Sequence, residues 1–245
     1  MDKMIYIAAT GARGAMLRQD SVAQNLANVS TPGYRAAVAA LQAVPLDPKG
    51  VGTKVFAVEG TAGADFTAGP VQRTGRALDI ALTGDGWIAV QGRDGREAYT
   101  RNGGLEVSAT GVLQTMAGQP VLGEGGPITV PPDSTVTIGS DGTVSAQNNG
   151  APLTEVQVLG RIKLVNPPAN QLARGDDGLF RTAQPAPADD GVRVAPGAIE
   201  GSNTNPVEAM VGMISAARQF EMHMKLLATA EQNSKSVSQL LQWGG

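Results

Sequence analysis

Cysteine is absent from this 245-residue chain. That excludes a disulfide framework, a thiolate metal site and a cysteine nucleophile. Histidine occurs once, at His223, so no second imidazole can complete a zinc site with it, and a Ser-His-Asp triad would have to take its base from that residue. No run of the roughly 18 apolar residues that a spanning helix needs occurs anywhere. The opening Met1–Thr10 also lacks the charged lead and long apolar stretch of a cleaved secretory signal. Charged residues are sparse at 17%, the net charge is −3, and among the lysines only Lys49 and Lys54 sit close together. A nucleic-acid binder would carry a basic face instead. Aromatics amount to 4%; Phe56, Phe66, Trp87 and Tyr99 are spaced for a β-core, not for a base-stacking platform.

What is abundant is glycine, 32 residues, about twice the usual ~7% share. It falls in turn dipeptides between short alternating runs: Gly84-Asp85-Gly86, Asp94-Gly95, Asn102-Gly103, Thr110-Gly111, Asp141-Gly142 and Asn149-Gly150. Asn-Gly and Asp-Gly supply the positive φ that tight hairpins demand, so the middle of the chain reads as antiparallel β-structure. Residues 166–198 read as loops and short edge strands closing that domain.

The two ends read differently. Over residues 4–30 a narrow seam recurs at Ile5, Ala8, Ala12, Ala15, Val22 and Leu26, continued by Val29 and interrupted by Gln19. This is a heptad-like spacing carried mostly by small side chains. Gly11 and Gly14 each weaken such a helix by about 1 kcal/mol relative to Ala. Thr31-Pro32-Gly33-Tyr34 stops it with the residues of a type II turn. At the far end Asn205 is an N-cap, Pro206 suits the first helical position and Glu208 the capping-box position. From there Met210, Met213, Ala217, Phe220, Met224 and Leu227 alternate by three and four, and His223 lies off that seam. Each end needs another helix to cover it. The spacing predicts an α+β protein whose terminal helices form a coiled-coil-like α-domain beside a central, mostly antiparallel β-domain.

Residues with chemical potential are few. Asp176-Asp177 and Asp189-Asp190 lack the spacing of a calcium loop and read as turn formers. Gly11-Ala-Arg-Gly14 follows no strand and makes no phosphate loop. Asp85 with Glu97 or Asp94 is the one carboxylate set on strand-rich sequence that a glycan-cleaving site would require, which keeps a peptidoglycan-binding or -hydrolysing envelope protein as the alternative reading.

Ala23-Gln-Asn25-Leu26-Ala27-Asn28-Val29-Ser30-Thr31-Pro32-Gly33-Tyr34-Arg35 resembles the N-terminal signature of bacterial flagellar rod and hook proteins. Glu200-Gly201-Ser202-Asn203-Thr204-Asn205-Pro206-Val207-Glu208-Ala209-Met210-Val211 resembles their C-terminal signature, and Arg218-Gln-Phe-Glu221 continues it. Residues 78–123, including Tyr99-Thr-Arg101-Asn-Gly103, resemble their shared β-domain. Gln24, Ala209 and Gly212 depart from the usual pattern.

The resemblance implies a non-enzymatic subunit of the flagellar basal-body rod. It implies export through the flagellum's own apparatus without a cleaved signal, and a place in the periplasmic rod beside other rod proteins. Residues 1–36 and 203–245 are then the helical assembly domain, 37–69 and 199–202 an extended connecting region, and 70–198 the β-domain. No cofactor, metal, nucleic acid, membrane insertion or small-molecule substrate is expected.

Overall fold

Short β-branched and aromatic runs between closely spaced turns leave little room for anything but hairpins and meanders. The computed structural model describes residues 2–38, 41–45, 55–59, 63–148 and 156–243. Within them every strand pair is antiparallel. The chain divides into two compact units. One comprises Met1–Ala27, Ala37–Ala64 and Thr204–Gly245; the other comprises Asn28–Ala36 and Asp65–Asn203.

The second of these, the β-unit, centres on a five-stranded sheet ordered Leu164–Val165, Trp87–Gln91, Glu97–Thr100, Phe180–Arg181, Ala173–Arg174. A three-stranded sheet of Ser134–Ile138, Thr143–Asn148 and Val156–Arg161 accompanies it, with a bulge between Val144 and Ser145. Two-stranded ribbons pair Arg193–Pro196 with Ile80–Thr83, and Ala198–Glu200 with Val71–Arg73. The apolar core runs from Ile80 to Val194, with Ile88, Val90, Leu105, Leu113, Val121 and Val144 wholly buried. Tyr99 is buried among them, its hydroxyl accepting the Ala186 N–H at 2.7 Å.

The expected turns hold in part. Asp94-Gly95, Thr110-Gly111 and Asp141-Gly142 each sit in a hairpin connection with glycine at positive φ. Gly84-Asp85-Gly86 instead carries the chain between different sheets, since Ile80–Thr83 and Trp87–Gln91 do not pair with each other. Asn102-Gly103 is not a two-residue hairpin either. Its glycine allows close backbone approach, with the Gly103 carbonyl accepting the Ile80 N–H at 2.9 Å. Asn149-Gly150, Lys49 and Lys54 lie outside the described residues, and so does the side chain of Phe56.

In the helical unit, α1 spans Asp2–Ala27 and α2 spans Pro206–Trp243. α1 stops three residues short of the expected end; residues 28–30 form a turn leading into Pro32, which disfavours helix in the residue before it. Asn205 caps α2, its Oδ1 accepting the Val207 N–H at 3.0 Å. The helices pack antiparallel: Gly11 lies beside His223, Arg18 Nη1 donates to Gln219 Oε1 at 3.1 Å, and Val22 lies beside Gly212. Among the described residues no helix is long and apolar enough to cross a membrane.

Candidate functional site

The two signature segments meet inside the β-unit. Pro32 and Gly33 form the turn that their order predicts, closed by the Tyr34 N–H on the Thr31 carbonyl at 3.3 Å, with Gly33 at φ 67°. Gly33 is confined as well as twisted, because a Cβ there would stand 2.5 Å from the Arg101 carbonyl oxygen. Its N–H donates to the Glu200 carbonyl at 2.8 Å, and the Asn203 N–H donates to the Tyr34 carbonyl at 3.3 Å. The Asn203 side chain then works as a small piece of backbone: Oδ1 accepts the Ala36 N–H at 2.7 Å, while Nδ2 donates to the carbonyls of Asp65 at 2.9 Å and Thr67 at 3.1 Å. Gly201 donates to the Pro70 carbonyl at 2.8 Å, and Ser202 is buried. This arrangement is a clasp that draws the segments at 31–36, 65–70 and 200–203 together.

Buried charge locks the clasp. Arg35, Arg101 and Glu200 are 0–5% exposed. Glu200 Oε1 lies 2.6 Å from Arg35 Nη2 and accepts the Gly69 N–H at 2.9 Å, while Oε2 accepts from Arg101 Nη1 at 3.0 Å. Arg101 also donates to the Gly84 carbonyl at 2.9 Å and lies over the Trp87 ring. Burial lowers the Arg101 pKa from its ordinary value; Glu200 opposes that fall and the neighbouring Arg35 charge adds to it. Two guanidinium groups thus share one carboxylate. Among the described residues, Arg35 Nε and Nη1 and Arg101 Nε have no hydrogen-bond partner. A third guanidinium, Arg174, donates to the Arg35 carbonyl at 2.9 Å and stacks 4.5 Å from the Tyr34 ring centre. Phe66, Trp87 and Phe180 pack ring against ring beside it. Removing one member of such a buried pair costs about 3–5 kcal/mol, because the remaining charge is left uncompensated.

Other signature residues serve elsewhere. Asn25, in α1, uses both amide atoms on one residue: Nδ2 donates to the Ala37 carbonyl at 2.9 Å and Oδ1 accepts the Ala37 N–H at 2.7 Å. Asn28 Oδ1 accepts from the Thr31 hydroxyl at 3.1 Å. Leu26 is half-buried and Ala27 exposed. Pro206, Val207 and Glu208 open α2 on exposed positions, where the Glu208 charge favours a helix start.

The helical seams are covered unevenly. On α1, Ala8, Ala12 and Ala15 are buried, Val22 and Leu26 half-buried, and Ile5 is 37% exposed. On α2, Met213, Ala217, Phe220 and Leu227 are half-buried, but Met210 and Met224 are exposed. The residues of α2 that lie deepest are Ala209, Ala216 and Ala230, one position away from the methionine spacing. His223, one position from the methionine seam, belongs to this packed side, since its ring lies against Gly11. An outward stripe is left at Val207, Met210, Val211 and Ile214, each more than half exposed.

No catalytic grouping emerges among the described residues. Glu97 is engaged by Lys163 at 2.8 Å and by the Tyr99 hydroxyl at 3.0 Å. Asp94 accepts the Arg96 N–H of its own turn, and Asp85 is exposed. Asp177 pairs with Arg181, whose hydrogen bonds hold that carboxyl below the usual carboxylate range. No group of three or more metal-ligating side chains occurs among the described residues.

A β-unit closed by a buried ion cluster, and a helix pair with a bare apolar stripe on α2, define a structural protein of the assembling kind. Two family models match the chain: flagellar basal body rod FlgEFG protein C-terminal over residues 195–240, and flagellar hook protein FlgE/F/G D1 domain over residues 81–146. The chain is 48% identical to the flagellar basal-body rod protein FlgF of Salmonella typhimurium, covering 98% of this chain and 99% of that protein. It is 46% identical to the FlgF of Escherichia coli over the same shares, and 34% identical to that of Caulobacter vibrioides over 98% of each. The chain belongs to the flagellar basal-body rod protein family, and within it resembles FlgF. It is a structural protein of the basal body and not an enzyme, and the peptidoglycan reading has no support in these relatives.

Proposed function

We propose that this rod subunit assembles through the outward apolar stripe of α2 together with exposed apolar residues of α1, with further rod subunits as the partners that cover them. The observation that carries this reading is the division of residues on the helices. Small side chains are used within the chain, while Val207, Met210, Val211 and Ile214 on α2, and Tyr6, Ile7 and Met16 on α1, face outward. An apolar helical face left in water marks an interaction surface. The interface then draws on Ile5, Met210, Met213, Phe220, Met224 and Leu227 at the stripe edges, with the terminal helices wound in coiled-coil fashion. Residues 1–36 and 203–245 act as the assembly domain, 37–69 and 199–202 as the connection, and 70–198 as the β-domain carried with it. The subunit transmits torque along the rod in the periplasm, having been exported through the flagellar apparatus without cleavage. Isolated helices are marginal in water, so such a chain completes its helical layer only at a growing end.

The test is a double substitution, Met210→Asp with Ile214→Asp. Monomer unfolding of the β-unit should be unchanged, while incorporation into basal bodies and swimming are lost. Normal incorporation of that variant would remove the stripe from the interface.

A further inference from the structure

We infer that Gly11 and His223 form the key that sets the register of α1 on α2. The inference deepens the assembly reading, because register decides which apolar residues are left facing outward. Alanine faces specify register poorly. Ala8, Ala12 and Ala15 repeat one small shape along α1, as Ala209 and Ala216 do along α2, so a slip of about two turns exchanges methyl for methyl.

Two features break that repeat. The His223 imidazole fills the space beside Gly11, where an added Cβ would stand 2.6 Å from Nδ1 and 2.7 Å from Nε2. One turn earlier on α2, Gln219 accepts from Arg18 at 3.1 Å. His223 Nδ1 is buried without a hydrogen-bond partner among the described residues, so shape rather than polar bonding seats it. A methyl at residue 11 would have to turn the half-buried ring out of this seat, and with it goes the contact that fixes the register. Gly212 supplies the contrast: a Cβ there would meet the Val22 methyls at 3.5 Å, an ordinary contact. Of these two interhelical glycines, only Gly11 is a notch.

The prediction is a reversal of sign. Alanine is the better helix former, so Gly11→Ala would strengthen α1 if the notch did not matter. With His223 in place it should instead lower amide-exchange protection in α1 by about tenfold in the full-length monomer. In a His223→Ala background the same substitution should raise protection, and Gly212→Ala should not lower it in either background. Protection that rises in Gly11→Ala with His223 present overturns the key. A second reading covers a variant too open to compare. The chain has no cysteine, so Arg18→Cys with Gln219→Cys can be joined by a short bismaleimide. The yield should fall severalfold with Gly11→Ala and recover with His223→Ala; a yield that ignores Gly11 overturns the inference. Both measurements are made on monomer, so failure of the stripe to drive assembly would show up separately.

Discussion

In the β-unit a charged cluster is buried beside a closed apolar core; in the helical unit a contiguous apolar stripe is left in view. Arg35, Arg101 and Glu200 are sequestered in a clasp above a core that runs from Ile80 to Val194. Val207, Met210, Val211 and Ile214 stand more than half exposed on α2. The contrast teaches that the two units are specified by different means. A buried charge cluster contributes little net stability compared with an apolar substitute, yet it punishes any other arrangement, since each ion must find its partner. An alanine-faced helix pair meets through small side chains, so each contact buries little apolar area, and such helices are marginal when left alone in water.

The largest effect should come from breaking the clasp. Glu200→Ala leaves two buried guanidinium groups without their carboxylate and should cost about 3–5 kcal/mol in urea unfolding of the β-unit. Adding Arg35→Met and Arg101→Met to that variant should recover much of the loss; no recovery would mean the residues matter for shape and not for charge. Next comes the helical side. Ala216 is fully buried, and Ala216→Leu should overpack the pair by about 1–3 kcal/mol. Helical circular dichroism should weaken while the β-unit transition stays in place. A shared shift of both would erase the distinction between the units.

A smaller effect is expected at Tyr99, where Phe removes the acceptor for the Ala186 N–H and the donor to Glu97. The cost should be about 1–2 kcal/mol, confined to the β-unit transition. The smallest concerns pH. Asp177 has its carboxyl held down chiefly by hydrogen bonding to Arg181. Its contribution is therefore present above the ordinary carboxylate pKa of about 3.9 and is lost as pH falls through the lower folded value. As an accessible ion pair it should supply no more than about 1 kcal/mol. Asp177→Asn should lower stability near neutrality by up to about 1 kcal/mol, leave it unchanged at the acid end, and so flatten that part of the acid unfolding profile.

Much of this was legible in the residues. Asn205 and Pro206 mark the start of α2, Pro32 and Gly33 mark the turn after α1, and Asp94-Gly95 and Asp141-Gly142 mark hairpins, because each signal is local. The phase of α2 was not legible. Methionines at 210, 213 and 224 share their three-four spacing with Ala209, Ala216, His223 and Ala230 one position away, and periodicity alone does not say which row is packed. Side-chain size would have pointed to the smaller row, since alanine faces permit the closer helix approach. The clasp was half legible. Arg35 and Glu200 fall in signature segments, but nothing local shows that they share a buried carboxylate with Arg101, which lies 99 residues from Glu200. Gly11 looked like a weakness in a helix, and only the ring of His223 beside it reveals the notch.

The claim most in need of a direct test is that the β-unit is complete by itself while the helices await partners. Amide exchange of the full-length monomer, compared with the same chain in assembled rods, measures it. Trp87–Gln91, Glu97–Thr100 and the Gly33 amide should be strongly protected in both states, and α1 and the first turns of α2, only weakly protected in the monomer, should gain protection in the rod. Helices as protected in the monomer as the β-core, with no gain on assembly, would contradict it.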